Sequence, residues 1–214
     1  MFATKPYNRL AAVEYARRWA LERSPLFSNY TGIGGDCTNF VSQCIFSGSC
    51  VMNGTPTFGW YYRSPEDYAP AWTGVPYLYN FLTSNMESGP YATEVSAEEA
   101  EVGDIVQLGR ADGEYYHTLL LTGTENGVFL VSAHTNDALD RRLDTYSFDR
   151  ARYLHILGVR FEIENDNCCF DGMYNGTSIF PTAAQRRALS CIRCSGRGGI
   201  LNGLFSPTAE EVEE

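Results

Sequence analysis

The order of local patterns along this 214-residue chain predicts an α+β fold with N-terminal helices packed on an antiparallel sheet: segments of helical period come first, and a run of strand-like segments follows. The dipeptide Asn126-Gly127 between two apolar runs adds a two-residue hairpin signal. Hydrophobic residues make up 44% and aromatics 14%, enough for one sizeable packed core.

Asn8 is placed to cap a helix running to about Glu22, with Leu10, Val13, Ala16 or Arg17, and Ala20 marking its face. The whole opening stretch, MFATKPYNRLAAVEYARRWAL, reads as an amphipathic helix without an apolar leader core or cleavage site. The expectation is therefore a chain made and kept in the cytoplasm, with secreted or cell-wall action left open. Ser24 to Gly35 is turn-rich and leads into a helix that carries Cys37 and stops near Gly48. Residues 49–73 form a long irregular stretch bearing Trp60, Tyr61, Tyr62, Tyr68 and Trp72, rings that either cap the core or line a substrate groove. Val75 to Ser84 reads as a short helix with Val75, Leu78, Phe81 and Leu82 inward. After an acidic linker, Ser96 to Glu101, strands are expected at Asp104–Leu108, Tyr115–Thr124, Gly127–Thr135 and Tyr153–Phe161.

The pattern divides the chain into a domain at 1–161 and a cysteine-containing extension at 162–214. Truncation near residue 162 is expected to leave a folded domain. Of seven cysteines, four (Cys168, Cys169, Cys191, Cys194) lie in the extension. Without an export signal a disulfide framework is not the default. A four-thiolate zinc site there is the minority reading, because the adjacent Cys168-Cys169 pair is unlike a CxxC knuckle; no metal and no cofactor are expected. The net charge of −10, with acid in excess on both sides of residue 161, argues against nucleic acid or an anionic membrane as partner. No run of about eighteen apolar residues offers a membrane span.

The chemistry concentrates at GGDCTNF, residues 34–40. Phe40, Val41, Cys44 and Ile45 follow Cys37 at helical spacing, so Cys37 sits at a helix start, with Asp36 as N-cap and Gly34-Gly35 allowing the tight entry. The helix N-terminus would favour a thiolate there. His117 opens an apolar strand and could serve as its base. An unbroken hairpin about Asn126-Gly127 pairs His117 with Asn136 and Leu119 with His134, placing His117, His134 and Asn136 on one sheet face. Nucleophile, base and a third polar group are what a thiol hydrolase needs, the third being His134 or, alternatively, Asn136. The Cys37 N–H would be one oxyanion donor and Tyr30 a second; Asp36, Trp60 and Trp72 are further substrate-side candidates. His155, flanked by apolar residues, reads as structural.

The blocks GGDCTNFVSQC, WTGVPYLYNFL, GDIVQL, YYHTLLLTG and SAHTNDALDRRL, in that order over residues ~7 to ~158, resemble the bacterial putative amidase domain family, of the papain-like group related to the NlpC/P60 cell-wall peptidases. The resemblance implies a papain-like fold, Cys37 as nucleophile, His117 as base and His134 as the third residue. It also implies amide cleavage, in related proteins often in the peptide stems of peptidoglycan. A peptide or peptidoglycan fragment is thus the expected partner. An acyltransferase using the same thioester, a silent peptide- or glycan-binding module, and a metal site built from Cys37, His117 and His134 are the competing readings.

Overall fold

The computed structural model describes residues 2–162 and 169–179. The chain opens with a strand, β1 (Phe2–Lys5), and not with the helix expected from its first residue. Pro6 follows directly and cannot continue a helix backwards with its locked φ and missing N–H. Helix α1 (Arg9–Trp19) starts where expected, the Asn8 side chain accepting from the Ala11 N–H at 3.1 Å.

Helix α2 (Asp36–Ser49) is buried at every one of its 14 residues, as a helix is when other layers enclose it on all sides. Its polar side chains are therefore bonded inward: Ser47 Oγ donates to Ala11 O, Ser42 Oγ to Trp72 O, and Gln43 Oε1 accepts from Tyr15 OH. The N-cap is Gly35, at φ 91°, and not Asp36, which is the first helical residue. A Cβ at position 35 would lie 2.9 Å from Thr73 O, so this entry needs glycine for both its dihedral and its space.

The stretch 49–73 is not irregular throughout. It holds an Asn53–Trp60 bridge, a small hairpin β2 (Tyr62–Ser64) and β3 (Asp67–Tyr68), and a one-turn helix α3 (Pro70–Thr73). Its tryptophans are core: Trp60 and Trp72 have no exposed surface, and their ring centroids lie 4.9 Å apart among Phe27, Phe46, Tyr62 and Phe81. Helix α4 (Val75–Ser84) buries Val75, Leu78, Phe81 and Leu82, as its pattern requires.

The main sheet contains β4 (Gly89–Val95), β5 (Ile105–Gly109), β6 (Tyr115–Glu125), β7 (Val128–Ala133), β8 (Ala138–Arg142) and β9 (Arg150–Glu162). Its order is β1-β9-β5-β6-β7-β8, with β4 on the other edge of β9, and every pairing is antiparallel. The inner face packs Ile105, Leu120, Leu154 and Ile156 against the helices. The outer face carries a second cluster of Val106, Leu108, Leu119, Leu121, Val131 and Ala133, covered by Leu143.

The Asn126-Gly127 turn forms, with Glu125 opposite Val128, but the register then shifts at Thr122 so that Leu121 faces Val131 and Leu120 faces Ser132. This bulge overturns the expected alignment. One extra residue on β6 sends Val131 and Ala133 outward and turns Ser132 and His134 towards the helices, whereas His117 shares its face with Leu119. Asn136 lies exposed in the β7–β8 turn, at φ 68° beside Thr135 at φ 62°.

Cys50, the left-handed C-cap of α2, is joined to Cys169 by a disulfide across 119 residues. The following helix, α5 (Phe170–Asn175), buries Met173 completely in the main core. The cysteine pattern alone did not favour such a bridge. The described part of the extension is thus stapled to the domain, and the expected independence of residues 1–161 must reckon with it. Cys168, Cys191 and Cys194 lie outside the described residues.

Candidate active site

Cys37 stands in the first turn of α2 and is 5% exposed. Its sulfur lies against β6, close enough to the Thr118 backbone N–H for that group to favour the thiolate, and the Thr38 hydroxyl is 3.8 Å away. The Leu121 N–H on β6 points to Asp104 O, on the β5 side, so that of Thr118, three residues back, points to the β7 side. The β6–β7 ladder has already stopped there, its last pair being Leu120 with Ser132. The Cys37 sulfur thus occupies a place on β6 that a neighbouring strand would otherwise fill.

Burial pushes the Cys37 thiol up, against the lowering effect of the Thr118 N–H, the Thr38 hydroxyl and the first-turn N–H groups. The helix start alone suggests a thiolate; enclosure reverses that balance and leaves a resting thiol.

His117 is one peptide from the Thr118 N–H that meets the sulfur. It pairs with Leu108 of the outer cluster, and its ring centroid is 6.2 Å from that of Tyr146 and 6.4 Å from that of Tyr116. Burial lowers its pKa to about 4. The imidazole is neutral at pH 7, the form in which it can accept a proton.

His134 points the other way, into the helical layer. Its ring stacks on Phe40 at 4.0 Å, Nε2 donates to Trp19 O at 2.9 Å, and Nδ1 lies 3.2 Å from Asp36 Oδ2, out of line for a full hydrogen bond. Its neighbours are thus Asp36, Trp19 and Phe40.

Asp36 is a fully buried hub. It accepts from the Tyr30 N–H, the Asn39 amide, the Thr31 hydroxyl and Arg23 Nε, all at 3.1 Å, and Arg23 in turn bridges to Asp137. Burial raises its carboxyl, but the His134 ring beside it and the bonds from Tyr30 and Asn39 outweigh it and hold the group well below the usual carboxylate range. Tyr30 is buried, with its ring edge-on to Tyr68 and no well-formed hydrogen bond on its hydroxyl. The indole N–H groups of Trp60 and Trp72 are spent on Ser42 and Asn39 inside the core, so neither ring lines a groove here. His155 is held by Asp104 and Arg9, away from this cluster.

Sequence reasoning missed a polar chain that runs along the inner face from the nucleophile candidate. Thr38 Oγ1 lies 3.0 Å from Thr118 Oγ1, which accepts from Gln107 Nε2 at 3.3 Å. Gln107 Oε1 accepts twice from Arg152. A glutamine in an otherwise apolar central strand was the available signal. Among the described residues no group of three or more His, Cys, Asp or Glu is placed to hold a metal, and no helix is long and apolar enough to cross a membrane.

The family model described as "Putative amidase domain" matches residues 6–157, from the start of α1 through the disputed histidines and into β9. The chain belongs to that family. Among curated proteins, the amidase-domain region is 34% identical over 137 residues to the uncharacterized protein YhbB of Bacillus subtilis (strain 168), covering 62% of this chain and 42% of the relative. It is 25% identical over 146 residues to the uncharacterized protein YjcM of the same organism, covering 64% and 33%. The chain thus spans less than half the length of either relative. No solved structure matches it.

Proposed function

We propose that this amidase-domain protein is a cysteine hydrolase that cleaves an amide through a thioester on Cys37. The observation that carries the reading is the seating of the Cys37 sulfur against the Thr118 N–H, one residue from a neutral, buried His117. His117 would take the thiol proton as sulfur attacks the carbonyl carbon. The oxyanion would form among the helix-start N–H groups, with the unpartnered Tyr30 hydroxyl as a second donor. Collapse would expel the amine with the proton from His117. Water, deprotonated by the same ring, would then release the acid and restore the thiol.

In this reading His134 is a positioning residue: through Asp36 it holds the start of α2, and with it the sulfur. Asn136, exposed in its turn, has no part. The resemblance to NlpC/P60 peptidases makes peptidoglycan stem peptides the first substrates to try. Incubating the protein with peptidoglycan fragments and resolving the products by mass tests the proposal. New free amines that vanish with Cys37→Ala are expected; unchanged fragments, or products that persist in Cys37→Ala, would overturn it.

A further inference from the structure

Arg152 of β9 lies on the inner face directly opposite Gln107 of β5. Its guanidinium is clamped between two rings, 3.6 Å from the Tyr79 centroid and 3.9 Å from that of Tyr115. Nε and Nη2 both donate to Gln107 Oε1, at 2.8 and 2.5 Å. Gln107 is itself fixed, its amide donating to Val75 O at the start of α4 and to Thr118 Oγ1. Three neighbours therefore hold this cation, yet Nη1 has no partner among the described residues, and the side chain is only half-buried. Glu94 faces it from β4 but spends one carboxylate oxygen on the Tyr79 hydroxyl at 2.9 Å.

A guanidinium held between two rings has already given up its rotamer freedom, and its unused N–H groups lie in a fixed plane. That is the geometry for recognising a carboxylate. The polar chain Arg152–Gln107–Thr118–Thr38 ends beside the Cys37 sulfur. Arg152 stands two strands from Thr118, about 10 Å, which is roughly two to three residues of extended peptide.

We infer that Arg152, with Tyr79 and Tyr115, forms a subsite for a free carboxylate carried by the substrate about two to three residues from the scissile amide. The inference rests on Cys37 being the nucleophile. It narrows the substrate class to peptides with an acidic side chain or an uncapped acid at that distance, and it disfavours their carboxamide counterparts.

The test uses the full chain and a ladder of N-bromoacetyl probes (glycine, β-alanine and diglycine), each as free acid and as amide, with alkylation of Cys37 followed by mass. For the arm that spans the gap, the acid is expected to react about tenfold or more faster than its amide. Arg152→Gln should bring that ratio to about one, and Glu94→Gln, which removes the facing negative charge, should raise it in the folded protein. Binding is also read without the thiol, from the side-chain 15N signal of Arg152 during titration with acetyl-diglycine or its amide. A saturable shift with the acid alone is expected.

Equal rates for acid and amide on every arm, or an acid preference indifferent to Arg152→Gln, would overturn the subsite. So would the absence of any shift. Alkylation needs only a reactive sulfur. A protein that shows the acid preference but cleaves no amide would refute the proposed activity and leave the subsite standing. A protein that cleaves amides without that preference would do the reverse.

Discussion

Breaking the Cys50–Cys169 bridge should cost more stability than any single side chain of the outer sheet face. The bridge closes a loop of 119 residues. Loop-closure entropy for that length is about 16 cal/mol/K, or about 5 kcal/mol at 25 °C, and residual order in the unfolded chain brings the expected loss to roughly 2–5 kcal/mol. For a protein of this size that corresponds to a fall in Tm of roughly 4–20 °C. Met173 should loosen with it, since α5 then depends on its own packing to stay docked. The assay is guanidinium unfolding of the wild type with and without reductant, beside Cys50→Ser and Cys169→Ser. Reductant and either substitution should give the same shift, and reductant should do nothing further to the variants. If mass confirms that the bridge is gone and the midpoint has not moved, the staple contributes nothing and the reasoning fails.

His117 resists protonation in the fold, so stability should fall as pH drops from about 6.5 to about 4, where the unfolded chain binds a proton that the native ring refuses; the span is worth about 3 kcal/mol. His117→Asn should flatten that part of the pH–stability curve, and in the wild type the acid limb of kcat/KM should lie well below 6.5. Cys37, whose thiol burial pushes up, should react slowly with iodoacetamide at pH 7 and accelerate above the ordinary cysteine range; fast labelling at neutral pH would show that the resting form is already a thiolate. Gly35→Ala should lower activity more than tenfold, because a methyl there meets Thr73 O at 2.9 Å on a backbone at φ 91° and must displace the start of α2; activity within twofold of wild type would show that the sulfur's position is not so constrained.

The helices and central strands were legible because their periods are set by burial, which the sequence records directly: α4 fell on the expected residues, and the caps of α1 and of the hairpin are local chemistry. The peripheral strands were not. Phe2–Lys5 and Ala138–Arg142 alternate weakly in burial, and their existence depends on an edge of β9 or β7 that no local pattern announces. In the candidate site, the helix-start cysteine was readable from its glycines and apolar spacing. The faces of the histidines were not, because one unpaired residue at Thr122 reverses every inference drawn by alternation beyond it. Asp36 reads as a cap, since Asp favours caps, but an inward carboxylate surrounded by Arg23, Thr31, Asn39 and His134 is a tertiary fact. The disulfide escaped for the same reason: which sulfur meets Cys50 depends on where α5 docks.

The same bridge gives the molecule an unusual covalent connectivity. Residues 50–169 form a closed ring that contains the sheet from β4 to β9 together with His117 and His134, while α1, α2 and Cys37 hang from it as an arm. A single proteolytic cut anywhere inside that ring opens it without separating anything. The Cys37 arm and the histidine strands stay in one molecule, to be parted only when the sulfur–sulfur bond is reduced as well.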